Sequence, residues 1–207
     1  MESLIAHLGH DDTPHVYTDR SVFVRELFWR RLDALLSMSR PPAPERVLDF
    51  GGGNGILTPT LARRYREVVC VDLRTEMVEE LRRTEQLDGV TALAGDIASF
   101  ALPADSFDSI FAPDVLEHIV DLPPLIEEFR RLLKPGGELL VSAPSENRFY
   151  EFGRRVFGYT KPDDHYHESP YVERTIGSVL PLYRKRYFPF NARPLAVFLL
   201  GRFVKEP

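Results

Sequence analysis

The run Val47–Gly55, which reads Val-Leu-Asp-Phe-Gly-Gly-Gly-Asn-Gly, constrains the fold of this chain more than any other stretch. Two apolar residues lead into a carboxylate, Asp49, and four of the next six positions are glycine. Glycine has no Cβ and adopts positive φ angles without strain, so such a turn lets the backbone approach a ligand closely. In doubly wound α/β sheets, ligands bind beyond the carboxyl ends of the strands, often at the first β-to-α turn. The run therefore predicts a strand followed by a ligand-binding turn.

A second carboxylate, Asp72, ends the next apolar run, Val68–Val71, and indicates that the ligand is a nucleoside. An acidic residue at about this distance from the glycines accepts hydrogen bonds from ribose hydroxyls. A dinucleotide-binding turn requires Gly-x-Gly-x-x-Gly, whose third glycine lets the helix pack closely on the strand. Read from Gly51, the third glycine position holds Ile56, and a start at the next glycine fails sooner. The dinucleotide pattern is therefore incomplete.

Composition restricts the class of protein. A chain of 207 residues with 43% apolar and 28% charged residues is typical of one soluble globular domain. No stretch reaches the ~18 apolar residues of a membrane span, although peripheral association stays open, and the first residues lack the pattern of a signal peptide. Cys70, the one cysteine, favours a cytoplasmic setting and a buried, unreactive side chain. The net charge of −5 argues against nucleic acid as the main partner.

Apolar runs alternate with helical patterns, which is typical of parallel βαβ units. The predicted strands cover residues 46–50, 68–72, 90–94, 107–111 and 138–143, with two final strand-like runs at 184–190 and 195–204. The predicted helices cover residues 19–36, 58–66, 75–87, 123–133 and 171–181. Thr58 and Pro59 are expected to cap and begin the second of these helices. Residues 144–170 show no period and are rich in Pro, Gly, Asp, His and aromatic residues.

The pattern Asp-x-Gly-x-Gly-x-Gly at residues 49–55 is similar to motif I of the class I S-adenosylmethionine (SAM) methyltransferases. Further stretches follow in the order of the small-molecule branch of that family, which includes methyltransferase type 11 and ubiquinone-biosynthesis-like enzymes. They are Asp72, Asp96-Ile97, residues 107–118 and residues 132–137. The resemblance implies an α/β, doubly wound, Rossmann-like sheet of seven strands, the last antiparallel. It also implies one domain over residues 1–207, with a helical lid (1–44), a SAM-binding core (45–143), a substrate cap (144–183) and two final strands (184–207).

The resemblance also implies which residues bind SAM. The glycines allow its close approach, Asp49 meets its amino end, Asp72 binds its ribose, Leu73 and Ile97 enclose its adenine, and Asp96 accepts from the exocyclic amine. Tyr17 belongs to the lid. The full set of implied cofactor-binding residues is Tyr17, Asp49, Gly51, Gly53, Asn54, Gly55, Asp72, Leu73, Asp96, Ile97, Ala112, Pro113 and His118. The implied product is S-adenosylhomocysteine.

Three histidines are candidates for a catalytic base, which methyl transfer needs when the acceptor is a poor nucleophile. They are His118, beside the expected methyl group, and His165 and His167, in a segment that could form a loop over the site. Neutral imidazole suits the removal of a hydroxyl proton near pH 7. A solvated polar loop explains His165 and His167 equally well. The His-x-His pattern supplies no complete ligand set, so no metal is predicted.

The acceptor is expected to be a small molecule. Residues 112–115 read Ala-Pro-Asp-Val and depart from the Asn/Asp-Pro-Pro-aromatic motif of nucleic-acid amino-methylating enzymes. Residues 145–207 carry a net charge of +4 (11 Lys/Arg, 7 Asp/Glu) and 13 of the 23 aromatic residues. This composition favours a pocket for an aromatic, lipid-like or carrier-attached acceptor. Its anionic group could face one of four cations, Arg148, Arg154, Arg155 or Lys161.

Other interpretations stay open at this point. The aromatic residues could fill the core instead, as expected for Phe198 and Phe203. A non-catalytic module that binds SAM or a partner would keep the same glycines and carboxylates, and a NAD-dependent oxidoreductase would share their layout. The sequence leaves open the acceptor, the atom that is methylated and the oligomeric state.

Overall fold

A computed structural model describes residues 15–41, 44–159 and 165–207. Its strands are β1 (Arg46–Phe50), β2 (Glu67–Asp72), β3 (Val90–Ala94), β4 (Phe107–Pro113), β5 (Leu133–Pro144), β6 (Leu182–Phe188) and β7 (Phe198–Val204). Its α-helices are α1 (His15–Thr18), α2 (Val22–Leu36), α3 (Thr58–Ala62), α4 (Glu76–Thr84), α5 (Leu122–Leu132), α6 (Arg148–Val156) and α7 (Ser169–Gly177). Short 3₁₀ turns cover Ile97–Phe100, Leu116–His118 and Arg193–Leu195.

The seven strands form one sheet in the order β3-β2-β1-β4-β5-β7-β6. Strands β1 to β5 are parallel, and β7 is antiparallel to both of its neighbours. The predicted seven-stranded sheet with an antiparallel last strand is therefore confirmed. The chain moves outward through β2 and β3 on one side of β1 and returns to β4 on its other side, where Asp49 pairs with Phe111. This reversal is the position at which open α/β sheets bind ligands.

The core lies in two layers because successive strand residues point to opposite faces of the sheet. Along β1, Leu48 joins the apolar cluster that packs against α5 and α7, whereas Val47 joins the cluster against α2. In β2, Val69 and Val71 belong to the first cluster, and Cys70 belongs to the second. Strands buried on both faces explain why their sequences read as continuous apolar runs.

Several boundaries differ from the sequence-based expectations. Helix α3 ends at Ala62 instead of near Arg66, and Thr58 is its first residue and not its cap. The Thr58 hydroxyl donates to Asp49 instead, which draws it away from the helix end. Helix α6 lies inside the segment for which no period was found, and it buries none of its residues completely. Core-facing periodicity, the signal used to find the other helices, is therefore absent from it.

Two expectations from composition can be compared with the described residues. Within them, no helix combines the length and the apolar character needed to cross a bilayer. Cys70 is fully buried in β2, and burial raises the pKa of its thiol far above the ordinary value. A thiol held protonated in this way is a small apolar side chain, as expected.

Candidate active site

A cavity of about 580 Å³ opens where β1 and β4 end. Seven of the predicted site residues line it: Tyr17, Asp49, Gly51, Asn54, Pro113, His118 and His165. Eight others lie outside its lining: Gly53, Gly55, Asp72, Leu73, Asp96, Ile97, Ala112 and His167. Most of the second group lies after the carboxyl ends of β1, β2 and β3, whereas Ala112 lies in β4 and His167 lies just before α7.

Asp49 lies at the inner end of the cavity and is completely buried. Its Oδ2 accepts a hydrogen bond of 2.6 Å from the Thr58 hydroxyl, while its buried Oδ1 has no hydrogen-bond partner among the described residues. Burial raises the pKa of Asp49 to about 6; the Thr58 hydrogen bond opposes this effect and the charge of Asp72 adds to it. The orphaned oxygen is suited to accept a hydrogen bond from a cation that enters the cavity.

Asp72 ends β2 and is bound to the glycine turn. Its Oδ2 accepts from the Gly53 backbone N–H at 2.9 Å, and its Oδ1 accepts from the Arg74 N–H at 3.0 Å. A Cβ at Gly53 would lie 2.3 Å from the Arg74 carbonyl oxygen and 2.6 Å from the Asp72 carboxyl carbon. A side chain at this position is therefore excluded, and Asp72 is held with one donor on each oxygen and lone pairs left for a ligand.

The two residues predicted to enclose adenine differ in how far they are buried. Leu73 is 80% exposed beside Asp72, whereas Ile97 is 4% exposed and belongs to the core. Asp96 caps the 3₁₀ turn that follows it, since its Oδ1 accepts from the Ala98 N–H at 2.9 Å. Leu73 is thus the exposed member of the predicted pair. Ala112 and Gly55 are buried as well, and Gly55 closes the glycine turn with a 2.8 Å hydrogen bond to the Gly52 carbonyl.

His165 pairs with a residue that the sequence did not single out, Glu146. The His165 Nδ1 lies 2.7 Å from the Glu146 Oε1, and their side chains are 7% and 5% exposed. A carboxylate can only accept a hydrogen bond, so this contact places the imidazole proton on Nδ1 and leaves Nε2 as the basic nitrogen. The His118 ring meets the His165 ring edge-on, with 4.7 Å between their centroids. The structure thus brings together two of the three predicted histidines.

His167 lies apart from this pair. Its ring stacks on Tyr171, and its Nε2 lies 3.2 Å from the Val120 carbonyl oxygen. Among the described residues, Glu117, His118 and His165 have potential metal-binding atoms within 4.8 Å of one another. This group includes His165 of the His-x-His pattern but not His167. Lys161, the remaining predicted cation of this segment, lies outside the described residues.

Residues of the N-terminal segment, which the sequence predicts to be a lid, line the cavity. Tyr17 is 7% exposed and packs edge-on against Phe28 and Trp29. The Tyr159 hydroxyl donates to Asp19, and Phe23 stacks on Phe157 with 5.9 Å between the ring centroids. These contacts join the beginning of the chain to the segment around α6, so both segments form walls of the same cavity.

The walls of the cavity are mainly aromatic. Rings from α2, α6 and β7 face it, namely Phe23, Phe28, Phe149, Tyr150, Phe152 and Phe198. Phe198 is 2% exposed and Phe203 is 1% exposed, which confirms that these two also fill the core. Aromatic rings therefore line this cavity, and Phe198 belongs both to its wall and to the core.

The site residues fit SAM on three observations. Asp49 offers a buried oxygen without a donor to the ammonium group, the glycine turn has no space for side chains, and Asp72 retains lone pairs for the two ribose hydroxyls. Exposed Leu73 adds an apolar surface for adenine. The sheet order and this turn define the fold of the class I SAM-dependent methyltransferases.

Comparison with known proteins identifies the family. Residues 48–141 match the family model described as "Methyltransferase domain", and the chain belongs to the SAM-dependent methyltransferases. Its fold is similar to that of the N-methyltransferase NodS from Bradyrhizobium japonicum WM9, solved with S-adenosyl-L-homocysteine. The TM-score is 0.69 at 23% identity, over 100% of this chain and 98% of the other.

Two relatives have similar sequences. The malonyl-[acyl-carrier protein] O-methyltransferase of Halorhodospira halophila is 32% identical over 68% of this chain and 48% of its own length. The ubiquinone biosynthesis O-methyltransferase of Xanthomonas axonopodis pv. citri is 38% identical over 49% of this chain and 44% of its own length. The chain therefore spans less than half the length of these relatives.

Proposed function

We propose that this protein transfers the methyl group of SAM to a hydroxyl oxygen of a small molecule with an apolar, aromatic body. The observation that carries the proposal is the buried His165–Glu146 pair in the wall of the cavity that also contains Asp49 and the glycine turn. A histidine oriented by a carboxylate is suited to remove a proton from a hydroxyl. An acceptor that needs no base would leave this pair without a role.

The cofactor is held by two carboxylates and the glycine turn. Asp49 accepts from the ammonium group at the inner end of the cavity, and Asp72 accepts from the ribose hydroxyls at the rim. SAM supplies a methyl group on a positively charged sulfur, and its transfer to oxygen leaves S-adenosylhomocysteine. Tyr17 and the rings around it exclude water, which strengthens the electrostatic interactions inside the site. Holding two reactants in line can contribute roughly 7–11 kcal/mol to lowering the barrier.

His165 is the base in this proposal. Its Nε2 accepts the hydroxyl proton as the acceptor oxygen becomes a stronger nucleophile, and Glu146 stabilises the positive charge that develops on the imidazole. The edge-on His118 ring limits the orientations of His165. A positioned base of this kind contributes about 10²–10⁴-fold to a rate.

The nature of the acceptor is supported by the aromatic walls and by the activities of the two relatives, which are both O-methyltransferases. Lipid-like and carrier-attached acceptors remain within this proposal, because both present an apolar body to the cavity. We propose a small molecule rather than nucleic acid, given Ala112-Pro113-Asp114 at the motif where nucleic-acid enzymes carry Asn/Asp-Pro-Pro. We also propose a cytoplasmic setting, since the one cysteine is a protonated core residue.

The experiment incubates the protein with SAM that carries an isotopically labelled methyl group and a set of hydroxylated aromatic compounds, with products read by mass spectrometry. We expect label on oxygen in the wild type and a loss of about 100-fold or more in His165→Gln. His167→Gln is the matched control and should retain the wild-type rate, because His167 lies apart from the cavity. Calorimetric titration with SAM should give the same affinity for all three proteins.

Two outcomes would contradict this function. One is SAM binding without transfer to any hydroxylated acceptor, which would favour a non-catalytic SAM-binding module. The other is an equal loss of rate in both histidine variants. A chelator control accompanies the assay, because a loss of activity on metal removal would assign Glu117, His118 and His165 to a metal and not to proton transfer.

A further inference from the structure

Arg154 places a buried positive charge in the apolar part of the cavity. Its side chain is 10% exposed, lines the cavity from α6, and lies with its guanidinium carbon 5.3 Å from the centre of the Tyr150 ring. Nε and Nη1 are buried and make no hydrogen bond to any described residue. Nη2 lies 3.6 Å from the Glu151 Oε1 in an ion pair, and the guanidinium also forms a hydrogen bond with the Tyr150 side chain.

A buried guanidinium with free N–H donors is suited to bind an oxyanion. Arginine stays protonated in proteins, so it cannot relieve burial by losing its charge. Leaving the N–H donors of a buried charge without hydrogen bonds is unfavourable. The planar fork of N–H groups in a guanidinium matches the two oxygens of a carboxylate. The free donors of Arg154 therefore indicate a ligand group that is negative and planar.

The other candidate cations differ from Arg154. Arg148 and Arg155 are exposed on the same helix, where water solvates their charges. Arg31 is buried, but its guanidinium pairs with Asp114. Three of the cations predicted to face an anionic group lie in the described residues, and of these Arg154 is the one that is buried and lines the cavity.

We propose that Arg154 binds a carboxylate of the methyl acceptor, so that the acceptor is an aromatic or similarly apolar hydroxy acid. This proposal rests on the proposed function, because it concerns the second substrate of the same site. The carboxylate is the anchor, and the hydroxyl that approaches His165 is the group that receives the methyl. Arg154 is then a specificity-determining residue.

The surrounding charge favours a single negative charge over a phosphate dianion. Burial raises the pKa of the nearby Tyr150, Arg154 lowers it, and Glu146 and Glu117 raise it further. The negative charges of Glu146 and Glu117 therefore affect the same part of the cavity as the positive charge of Arg154. A carboxylate with one charge meets less repulsion from them than a phosphate with two.

The test compares hydroxylated aromatic acids, such as 3,4-dihydroxycinnamic acid, with their neutral methyl esters as acceptors. We expect the wild type to prefer the acid by roughly 10-fold or more in kcat/KM, through KM. Arg154→Met should lose this preference while it still methylates the ester, and Arg154→Lys should retain part of it because lysine keeps the charge but not the planar fork.

Arg155→Met is the matched control and should keep the wild-type preference. Equal use of acid and ester by the wild type, or an unchanged preference in Arg154→Met, would overturn the proposal.

Thermal unfolding supplies a readout that needs no turnover. The acid should raise the Tm of the wild type but not of Arg154→Met, and an aryl phosphonate of the same shape should raise it less. Without ligand, Arg154→Met should be at least as stable as the wild type, because it removes a buried charge two of whose three nitrogen atoms lack hydrogen bonds to described residues. A clear fall in Tm would instead assign Arg154 a structural role and overturn the proposal. If neither acid nor ester is methylated while the acid still stabilises the wild type selectively, the proposed function fails and the anion site stands.

Discussion

Arg31 and Asp114 form a buried ion pair that connects α2 to the carboxyl end of β4. The Arg31 side chain is 1% exposed, and its guanidinium carbon lies 4.5 Å from the centre of the Phe198 ring. Asp114 has a φ of +50°, and its Oδ1 accepts from the Ser142 hydroxyl at 2.8 Å. Arg31 also donates to the Tyr17 hydroxyl. One side chain thus connects α1, the end of β4 and the wall of the cavity.

Loss of Arg31 should therefore destabilise the protein. Arg31→Met leaves Asp114, whose side chain is 26% exposed, without its charged partner, and loss of such a charge-assisted contact costs about 1.5–3 kcal/mol of unfolding free energy. Arg31→Met/Asp114→Asn should recover much of this loss, because the uncompensated charge is gone. Chemical denaturation measures both, with Arg30→Met as control, since the Arg30 side chain is 73% exposed. Equal stability of the single and double variants would mean that the two side chains are not coupled.

Asp49 should make the stability of the free protein depend on pH. Its pKa is raised to about 6 in the folded state, against an ordinary value of 3.8. Between these values the folded protein retains a proton that the unfolded chain releases. The contribution of Asp49 to stability is therefore fully present below pH 4 and is lost as the pH rises through 6, by about 3 kcal/mol in all. The difference in unfolding free energy between the wild type and Asp49→Asn should follow this curve.

The same carboxyl should couple SAM binding to proton release. The ammonium group of SAM favours the ionised form of Asp49, so affinity should increase as the pH rises from 5 to 7. At pH 5, calorimetry in buffers of different ionisation enthalpy should detect nearly one proton released per SAM bound. Asp49→Asn should release none and bind more weakly at pH 7. Proton release that persists in Asp49→Asn would place the titrating group elsewhere.

Asp72 and Asp96 should respond differently to the same substitution. Asp72→Asn weakens hydrogen bonds to the ribose and to the Gly53 N–H, so we expect a loss of SAM affinity of about 1.5–3 kcal/mol. Asp96→Asn keeps an oxygen that can cap the following turn, and asparagine is as good a cap as aspartate. Its stability should remain near that of the wild type. A larger affinity loss in Asp96→Asn than in Asp72→Asn would reverse the assigned roles.

The fold was predictable from local patterns because burial on both faces makes central strands continuously apolar. Strand β1, for example, is found at the predicted residues 46–50, and the seven-stranded sheet with an antiparallel last strand followed from the motif resemblance. Helix α6 was missed although Phe149, Phe152 and Val156 recur at helical spacing, and this short apolar stripe lines the cavity. Helical periodicity in a sequence reports a buried face, but not whether that face meets the core or a cavity.

The site was only partly predictable because its pairs are distant in sequence. Glu146 and His165 are 19 residues apart, and nothing in the sequence between them reports their contact. Arg31 did carry a local signal. It lies four residues before Leu35 and seven after Val24 on the buried stripe of α2, where a charge predicts a buried partner. The identity of that partner, Asp114, needed the structure.

Glu146 should affect catalysis without affecting cofactor binding. Glu146→Gln keeps the size of the side chain and an oxygen for the His165 Nδ1–H, but it removes the negative charge that stabilises a protonated imidazole. We expect kcat to fall by about 10- to 100-fold, part of the contribution that a positioned base makes to the rate. SAM affinity and the KM of a neutral acceptor should stay within about twofold of the wild type, because Glu146 is not expected to contact either substrate. Glu168→Gln is the matched control, as Glu168 is exposed and its side chain makes no capping hydrogen bond. A fall in SAM affinity that parallels the fall in kcat would show that Glu146 supports the shape of the cavity and does not act through His165.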